Sequence, residues 1–340
     1  MSVRVILDGQ FGSCGKGAFI SAALKMGEEP IVVVRAGGPQ AGHSMLGPCP
    51  TNCTDGHDAG MHVWKMRQIP CAWHIPGMNV VIARGAMVNL AVLRDEIEGI
   101  LSTGLPLHLL VDGDAFVVET THQYREEQMA LEAGSTREGV GIARAATMTR
   151  EAKRVRDFLP NNPWLAPYVL ANTASMLRSW SQSGDVWIEG TQGFGLSLRA
   201  SGYYPYVTSW DITPQQLLAD VGLHWKDDVR TTMLIRTYPI RIAGNSGPLD
   251  EIRWSDVRNP PSQPEITTVT KKQRRIGRFN LAQVLRAIRE CRPDELVVTF
   301  ADYLPELERE PWVNNLAQAT GVPVNYVSTG FEKLSRWSNG

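Results

Sequence analysis

Short apolar runs rich in β-branched residues alternate along the chain with longer segments of helical period, beginning with VRVILD at 3–8. The apolar runs predict strands over 3–8, 31–35, 80–83, 107–111, 186–189, 231–235, 295–299 and 325–328. The segments between them predict helices over 16–26, 89–102, 122–131, 169–182, 214–221, 281–290 and 313–320. Such alternation is the pattern of an α/β fold, a largely parallel central sheet flanked by helices. Three stretches, 37–75, 134–149 and 243–272, fit neither period and read as long loops. Loops of that length are uncommon in compact domains unless they bind something. No repeat, low-complexity linker or abrupt charge shift divides the chain, so one domain over 1–340 is expected.

Composition narrows the partners. With 43% hydrophobic and 20% charged residues, the 340-residue chain has ample material for a core. A formal net charge of −1 exerts no long-range pull on nucleic acid or an anionic membrane, so neither is expected as a partner and phosphate recognition has to be local. No apolar stretch approaches the roughly 20 residues that span a bilayer. The first ten residues read as a strand, not a signal peptide, and a soluble, cytoplasmic protein is expected. Five unevenly spaced cysteines do not form a disulfide framework. Cys49, Cys53 and His57, with Cys71 and His74 further on, offer zinc-ligating groups. Their spacing is looser than most zinc ribbons, and a Gly/Pro-rich surface loop with free thiols is the preferred reading.

The strongest chemical signal is strand, turn and helix in VRVILDGQFGSCGKGAF at 3–19. Gly9, Gly12, Gly15 and Gly17 free the backbone to approach a ligand, and Lys16 stands in the first turn of the helix, where unpaired N–H groups attract phosphate. The arrangement is P-loop-like but departs from the Walker pattern, with five residues between the glycines and Gly17 in place of Ser or Thr after the lysine. A second glycine-rich loop, RAGGPQAGHS at 35–44, also follows a predicted strand, and His43 is its one side chain suited to proton transfer near neutrality. Both loops fall at strand carboxyl ends, where open α/β sheets bind ligands. Further segments follow: GSTREGVG at 134–141, EGTQG at 189–193, YYPYVTS at 203–209 and TTVTKKQRR at 267–275. The last concentrates hydroxyls and cations suited to a carboxylate or phosphate, although alone it would read as a solvated basic turn.

In this order, and with VSTG at 327–330, the segments resemble those of the adenylosuccinate synthetase family over most of the chain. The resemblance implies a homodimer, Mg²⁺ and a two-step ligation. A nucleoside triphosphate phosphorylates the purine 6-oxygen, and the amine of L-aspartate then displaces that phosphate. It assigns Gly12, Gly15, Lys16, Gly17, Gly42, His43, Ser44, Asp302, Ser328 and Gly330 to the triphosphate. Lys16 binds phosphate, His43 acts as general acid, and the Gly42 carbonyl holds Mg²⁺. Gln40, which replaces the family's asparagine, falls with Thr136, Arg150, Gln192 and Thr208 to the monophosphate, Arg150 reaching it from the other subunit. Thr270, Lys272 and Arg274 fall in the aspartate-binding loop, where the family usually has arginine at the Lys272 position.

Two departures bear on the substrate. In the family's QWGDEGKGK motif the aspartate is both the base on purine N1 and a Mg²⁺ ligand; here that catalytic and metal position is Ser13, followed by Cys14 instead of glutamate. A serine hydroxyl is no base near pH 7 without activation. It is small and neutral, however, and can accept a hydrogen bond from a purine 2-amino group. The pattern resembles the bacteriophage branch of the family, which acts on dGMP. The second departure is Phe300 in TFAD at 299–302, where the family's TKLD motif has lysine; its loss admits ATP or dATP as donor without excluding GTP. The competing readings are an ordinary synthetase acting on IMP and a non-catalytic purine-nucleotide-binding protein.

Overall fold

The computed structural model describes residues 2–51, 60–129, 133–267 and 271–338. Its centre is a ten-stranded sheet in the spatial order Leu334–Arg336, Val324–Ser328, Glu295–Thr299, Val229–Arg236, Val3–Asp8, Val186–Gly193, Val32–Ala36, Asn79–Ile82, His108–Asp112 and Val169–Leu170. Every neighbouring pair is parallel except the edge pair Val324–Ser328 with Leu334–Arg336. Val3–Asp8 lies near the middle, with Val3 opposite both Val186 and Val229.

Helices cover both faces, which is why the strands are near-continuous apolar runs. Ile6, Val33 and Val80 pack on one side with Phe19 and Ile20 of helix Lys16–Lys25 and Leu93 and Ile97 of helix Leu90–Leu101. Val5, Val34 and Val81 pack on the other with Leu177, Leu217, Val284 and Val313, from helices Thr173–Trp180, Pro214–Val221, Leu281–Cys291 and Glu306–Thr320. Capping side chains fix several starts: Asn89 accepts from the amides of Ala91 and Val92, Thr213 from Gln216, and Asn280 from Gln283. Among the described residues, no helix is long and apolar enough to cross a membrane.

All three expected loops contain regular structure, 243–272 among its described residues only the short strand Glu251–Ile252 and a single 3-10 turn at Trp254–Asp256. Residues 37–75 hold an antiparallel pair, His43–Pro48 with Met61–Met66, that their glycines and prolines conceal. Residues 134–149 hold helix Val140–Thr149, which buries only the small stripe Val140, Ala143 and Ala146 and so gives a weak periodic signal. Conversely, the helix predicted from 313 starts at Glu306, because Pro311 lies within it and reads from sequence as a breaker.

Candidate active site

The strand carboxyl ends converge on one rim, as expected for an open α/β sheet. Asp8 ends the central strand and the glycine loop follows, turning through left-handed conformations at Gly12 (φ +84°), Ser13 (φ +56°) and Gly15 (φ +80°). Ser13 holds that conformation without being glycine, and its carbonyl accepts a hydrogen bond of 2.9 Å from Arg236 Nη1. Lys16 begins the helix and is buried; its Nζ lies 2.7 Å from Asp8 Oδ2 and donates to the Gln192 carbonyl. The structure also explains why no Ser or Thr follows the lysine. A Cβ on Gly17 would sit 2.8 Å from the Ser44 carbonyl oxygen and from Cys71 Sγ, so only glycine fits.

The second loop is organised from beneath by a buried charge cluster. Arg35, near the end of its strand, donates to Glu189 Oε1 at 3.3 Å and to the Ala41 carbonyl. Glu189 Oε1 also meets His43 Nδ1 at 2.5 Å, and Oε2 accepts the Cys71 amide at 2.7 Å. Nδ1 is therefore committed to the carboxylate, leaving Nε2 for a ligand. Burial first, and the Arg35 charge next, hold the His43 imidazole down at about 3, although the Glu189 hydrogen bond pulls the other way. Burial alone would raise the Glu189 carboxyl, but the hydrogen bond from His43, the His43 and Arg35 charges and the Cys71 amide bring it down to about 2. Near neutrality the pair is thus a neutral imidazole on an ionised carboxylate.

Two cavities of about 530 and 430 Å³ open on this rim, ordinary sizes for ligand pockets. Gln40, Thr136, Gln192 and Thr208 line the larger, and so does Gly12, which the resemblance had given to the triphosphate. Gly15, Lys16, Gly17, Ser44, Asp302, Ser328 and Gly330 line the smaller. Ser13, Gly42, His43, Thr267 and Arg274 line both, so the two spaces meet where sequence placed the chemistry. Arg274 Nη1 donates to Ser13 Oγ at 2.8 Å across that junction. Four residues that line these spaces hold a buried oxygen without a hydrogen-bond partner: Gln40 Oε1 and Gln192 Oε1 at the larger, Asp8 Oδ1 and Asp302 Oδ1 at the smaller. Unpaired buried polar atoms are rare and costly, which marks them as ligand-directed. Phe300 lays its ring over the Arg236 guanidinium, 3.8 Å from it, and its edge is the nearest atom to a Cβ built on Gly15.

The family model described as Adenylosuccinate synthetase matches residues 5–166 and 162–310. The chain belongs to the adenylosuccinate synthetase family, a group of carbon–nitrogen ligases. It is 31% identical to the N6-succino-2-amino-2′-deoxyadenylate synthase of Vibrio phage phiVC8, over 94% of this chain and 91% of that protein. It is 28% identical to the adenylosuccinate synthetase of Methanocaldococcus jannaschii, over 98% of this chain and 95% of that protein. Among solved structures, the succinoaminodeoxyadenylate synthetase of cyanophage S-2L, bound to dGMP and to dATP as energy donor, superposes with a TM-score of 0.82 at 28% identity, covering 98% of this chain and 95% of that one.

Not every residue carried over from the adenylosuccinate synthetase motifs reaches the rim. Lys272 is exposed and lines neither cavity, and Thr270 lies outside the described residues. Arg150 caps helix Val140–Thr149 with φ +66°, exposed and away from both cavities of its own subunit. Cys53 and His57 also lie outside the described residues, and Cys49 is half-buried. Cys71 and His74 correct the expectation of a surface loop. Both are buried under the site, His74 Nε2 bonded to Ser21 Oγ at 3.2 Å. His43, Cys71 and Glu189 bring ligating atoms within 4.8 Å of one another, but the Arg35 guanidinium already supplies the cation there.

The structure adds residues that sequence reasoning did not single out. Glu189 stood in a quoted motif without a role, and Arg35 opened another. Thr267 carried no signal beyond its hydroxyl, and Asp8 read only as the last residue of a strand.

One consequence concerns protons. Triphosphate anions beside His43 favour the imidazolium and oppose the burial and Arg35 charge that keep the ring neutral. If a triphosphate binds there, the bound protein holds more protons than the free one, so nucleoside triphosphate binding near pH 7 should take up a proton in wild type and not in His43→Ala. Binding enthalpies measured in buffers of different ionisation enthalpy read this directly; equal uptake by the two proteins would remove His43 as its source.

Proposed function

We propose that the chain joins L-aspartate to the 6-position of dGMP with hydrolysis of a nucleoside triphosphate, giving 2-amino-2′-deoxyadenylosuccinate for diaminopurine synthesis in the cytoplasm of a host cell. The observation that carries this reading is Ser13 at the junction of the two cavities, its hydroxyl already accepting from Arg274. An oxygen so held keeps one lone pair. It can accept from a guanine 2-amino group, where the family's carboxylate would crowd and charge that edge. The similarity to phage enzymes named for the 2-amino product, and to a structure holding dGMP and dATP, supports the same substrate.

On this reading dGMP occupies the larger cavity, with Gln40, Thr136, Gln192 and Thr208 around it and Arg150 supplied by the partner subunit of a homodimer. The triphosphate occupies the smaller cavity, its phosphates drawing Lys16 from Asp8 and its base against Asp302, Ser328 and Gly330. Phe300, with no cationic head, favours dATP or ATP over GTP. His43, fixed by Glu189, presents Nε2 to the transferring phosphoryl group, and Arg274 with Thr267 receives the aspartate carboxylates beside it. The family resemblance adds Thr270 and Lys272 to the aspartate-binding set. Mg²⁺ neutralises phosphate charge when bound. The Gly42 carbonyl would be one oxygen donor for it, whereas the Arg274 guanidinium on Ser13 Oγ would repel the ion from that oxygen.

The reading is tested by aspartate-dependent phosphate release from dGMP and dATP, with the succinylated nucleotide identified by mass. Nucleotide binding with no turnover would leave a sequestering protein, and turnover without aspartate a plain triphosphatase.

A further inference from the structure

The adenylosuccinate synthetase motif carries two acidic residues at the positions of Ser13 and Cys14, and this loop has neither. A metal bound with the triphosphate needs an anionic oxygen, because Mg²⁺ is held through carboxylates and phosphates. Four carboxylates line the smaller cavity among the described residues: Asp8, Glu265, Asp302 and Glu332. Glu265 is paired with Arg236, Glu332 with Lys25 and Asp8 with Lys16, and the triphosphate reading gives Asp302 to the base. Of the three pairs, only that of Asp8 has the phosphate-binding lysine as its cation.

Asp8 is wholly buried beneath the phosphate loop. Its Oδ2 receives Lys16 Nζ at 2.7 Å and the Cys14 amide at 3.2 Å, while Oδ1 has no partner. A carboxylate this deep requires a cation. Lys16 supplies it in the empty site, yet Lys16 is the residue that a phosphate draws away. Cys14 fits the same account. It is wholly buried with its amide on Asp8, and burial first, then the Asp8 charge, keep its thiol neutral. A glutamate there would set a second buried negative charge against Asp8, so an acid at position 8 and a neutral residue at position 14 belong together.

We propose that Asp8 supplies the carboxylate oxygen for the divalent cation that accompanies the triphosphate, the service that the QWGDEGKGK motif gives to the aspartate at the position of Ser13. The loop has moved its anion from the turn to the end of the strand beneath it. That frees Ser13 to face the purine.

The proposal rests on the triphosphate reading of the smaller cavity, and the experiment separates the two. Mn²⁺ binding is followed by electron paramagnetic resonance with a non-hydrolysable dATP analogue, whose own metal-free binding is measured in parallel. Asp8→Asn should weaken Mn²⁺ at least about tenfold, the loss that even outer-shell changes cause. Ser13→Ala should leave Mn²⁺ affinity unchanged. Asp8→Cys should turn the preference from Mn²⁺ toward Cd²⁺, because a thiolate is the softer ligand. This swap decides the matter if Asp8→Asn fails to fold. Failure of the analogue to bind wild type overturns the triphosphate reading and the proposal with it. Analogue binding with wild-type Mn²⁺ affinity in Asp8→Asn, or an unchanged metal preference in Asp8→Cys, overturns the proposal alone.

Discussion

His43→Ala should lower kcat by roughly 10²–10⁴-fold, the range for removing a positioned acid or base. The ring stands at the junction of the two cavities with Nδ1 held by Glu189, so truncation removes the Nε2 contact and leaves the carboxylate buried with Arg35 as its cation. The loss should fall on kcat more than on the KM for either nucleotide, because a donor that meets developing charge acts in the transition state. Glu189→Gln should give a smaller loss of the same kind, since an amide still bonds the ring but no longer favours the imidazolium. Lys16→Ala should cost roughly 10²–10³-fold by removing phosphate charge stabilisation. Steady-state kinetics with both nucleotides varied check these values; near-wild-type kcat in His43→Ala would take the histidine out of the chemistry.

The second large effect is expected at Ser13. Ser13→Asp should shift preference from dGMP toward IMP, because a carboxylate restores the base on purine N1 while crowding and charging the space at C2. Serine gives up that base, so the N1 proton has to leave to another acceptor, a phosphate oxygen of the donor or the aspartate substrate. Without such a replacement the cost would be roughly 10²–10⁴-fold. The introduced carboxylate should also turn the contact with Arg274 into an ion pair, drawing on the guanidinium proposed to receive the amino-acid substrate. Ser13→Ala should weaken dGMP use without abolishing it, since it removes one neutral hydrogen bond worth about 0.5–1.5 kcal/mol. kcat/KM for both monophosphates in the three proteins measures the shift; an unchanged ratio in Ser13→Asp would detach purine choice from this residue.

The sheet was legible because its strands are buried on both faces and so print as unbroken apolar runs at 3–8, 186–189 and 231–235. The glycine turn was legible as a turn, since Gly12 and Gly15 take left-handed backbone there, but glycine spacing alone also fits an ordinary strand-to-helix turn, and the phosphate reading came from the order of the motifs. What sequence hid depends on long-range packing. Strand His43–Pro48 looks like loop because Gly47 and Pro48 interrupt it, yet it anchors His43. The identity of the residue after Lys16 is decided by Ser44 and Cys71, across the fold. Glu189 acquires its role only when parallel pairing sets it beside Arg35, in register on the neighbouring strand. Asp8 and Lys16 are eight residues apart along the chain, and nothing in that spacing shows that the loop folds back to pair them.

Purine choice is measured most directly as kcat/KM for dGMP and for IMP in the wild-type protein, at saturating dATP and L-aspartate with magnesium. A clear preference for dGMP is expected, with phosphate and the succinylated 2-amino nucleotide formed in equal amounts. A preference for IMP would contradict it and return the protein to ordinary adenylosuccinate synthesis.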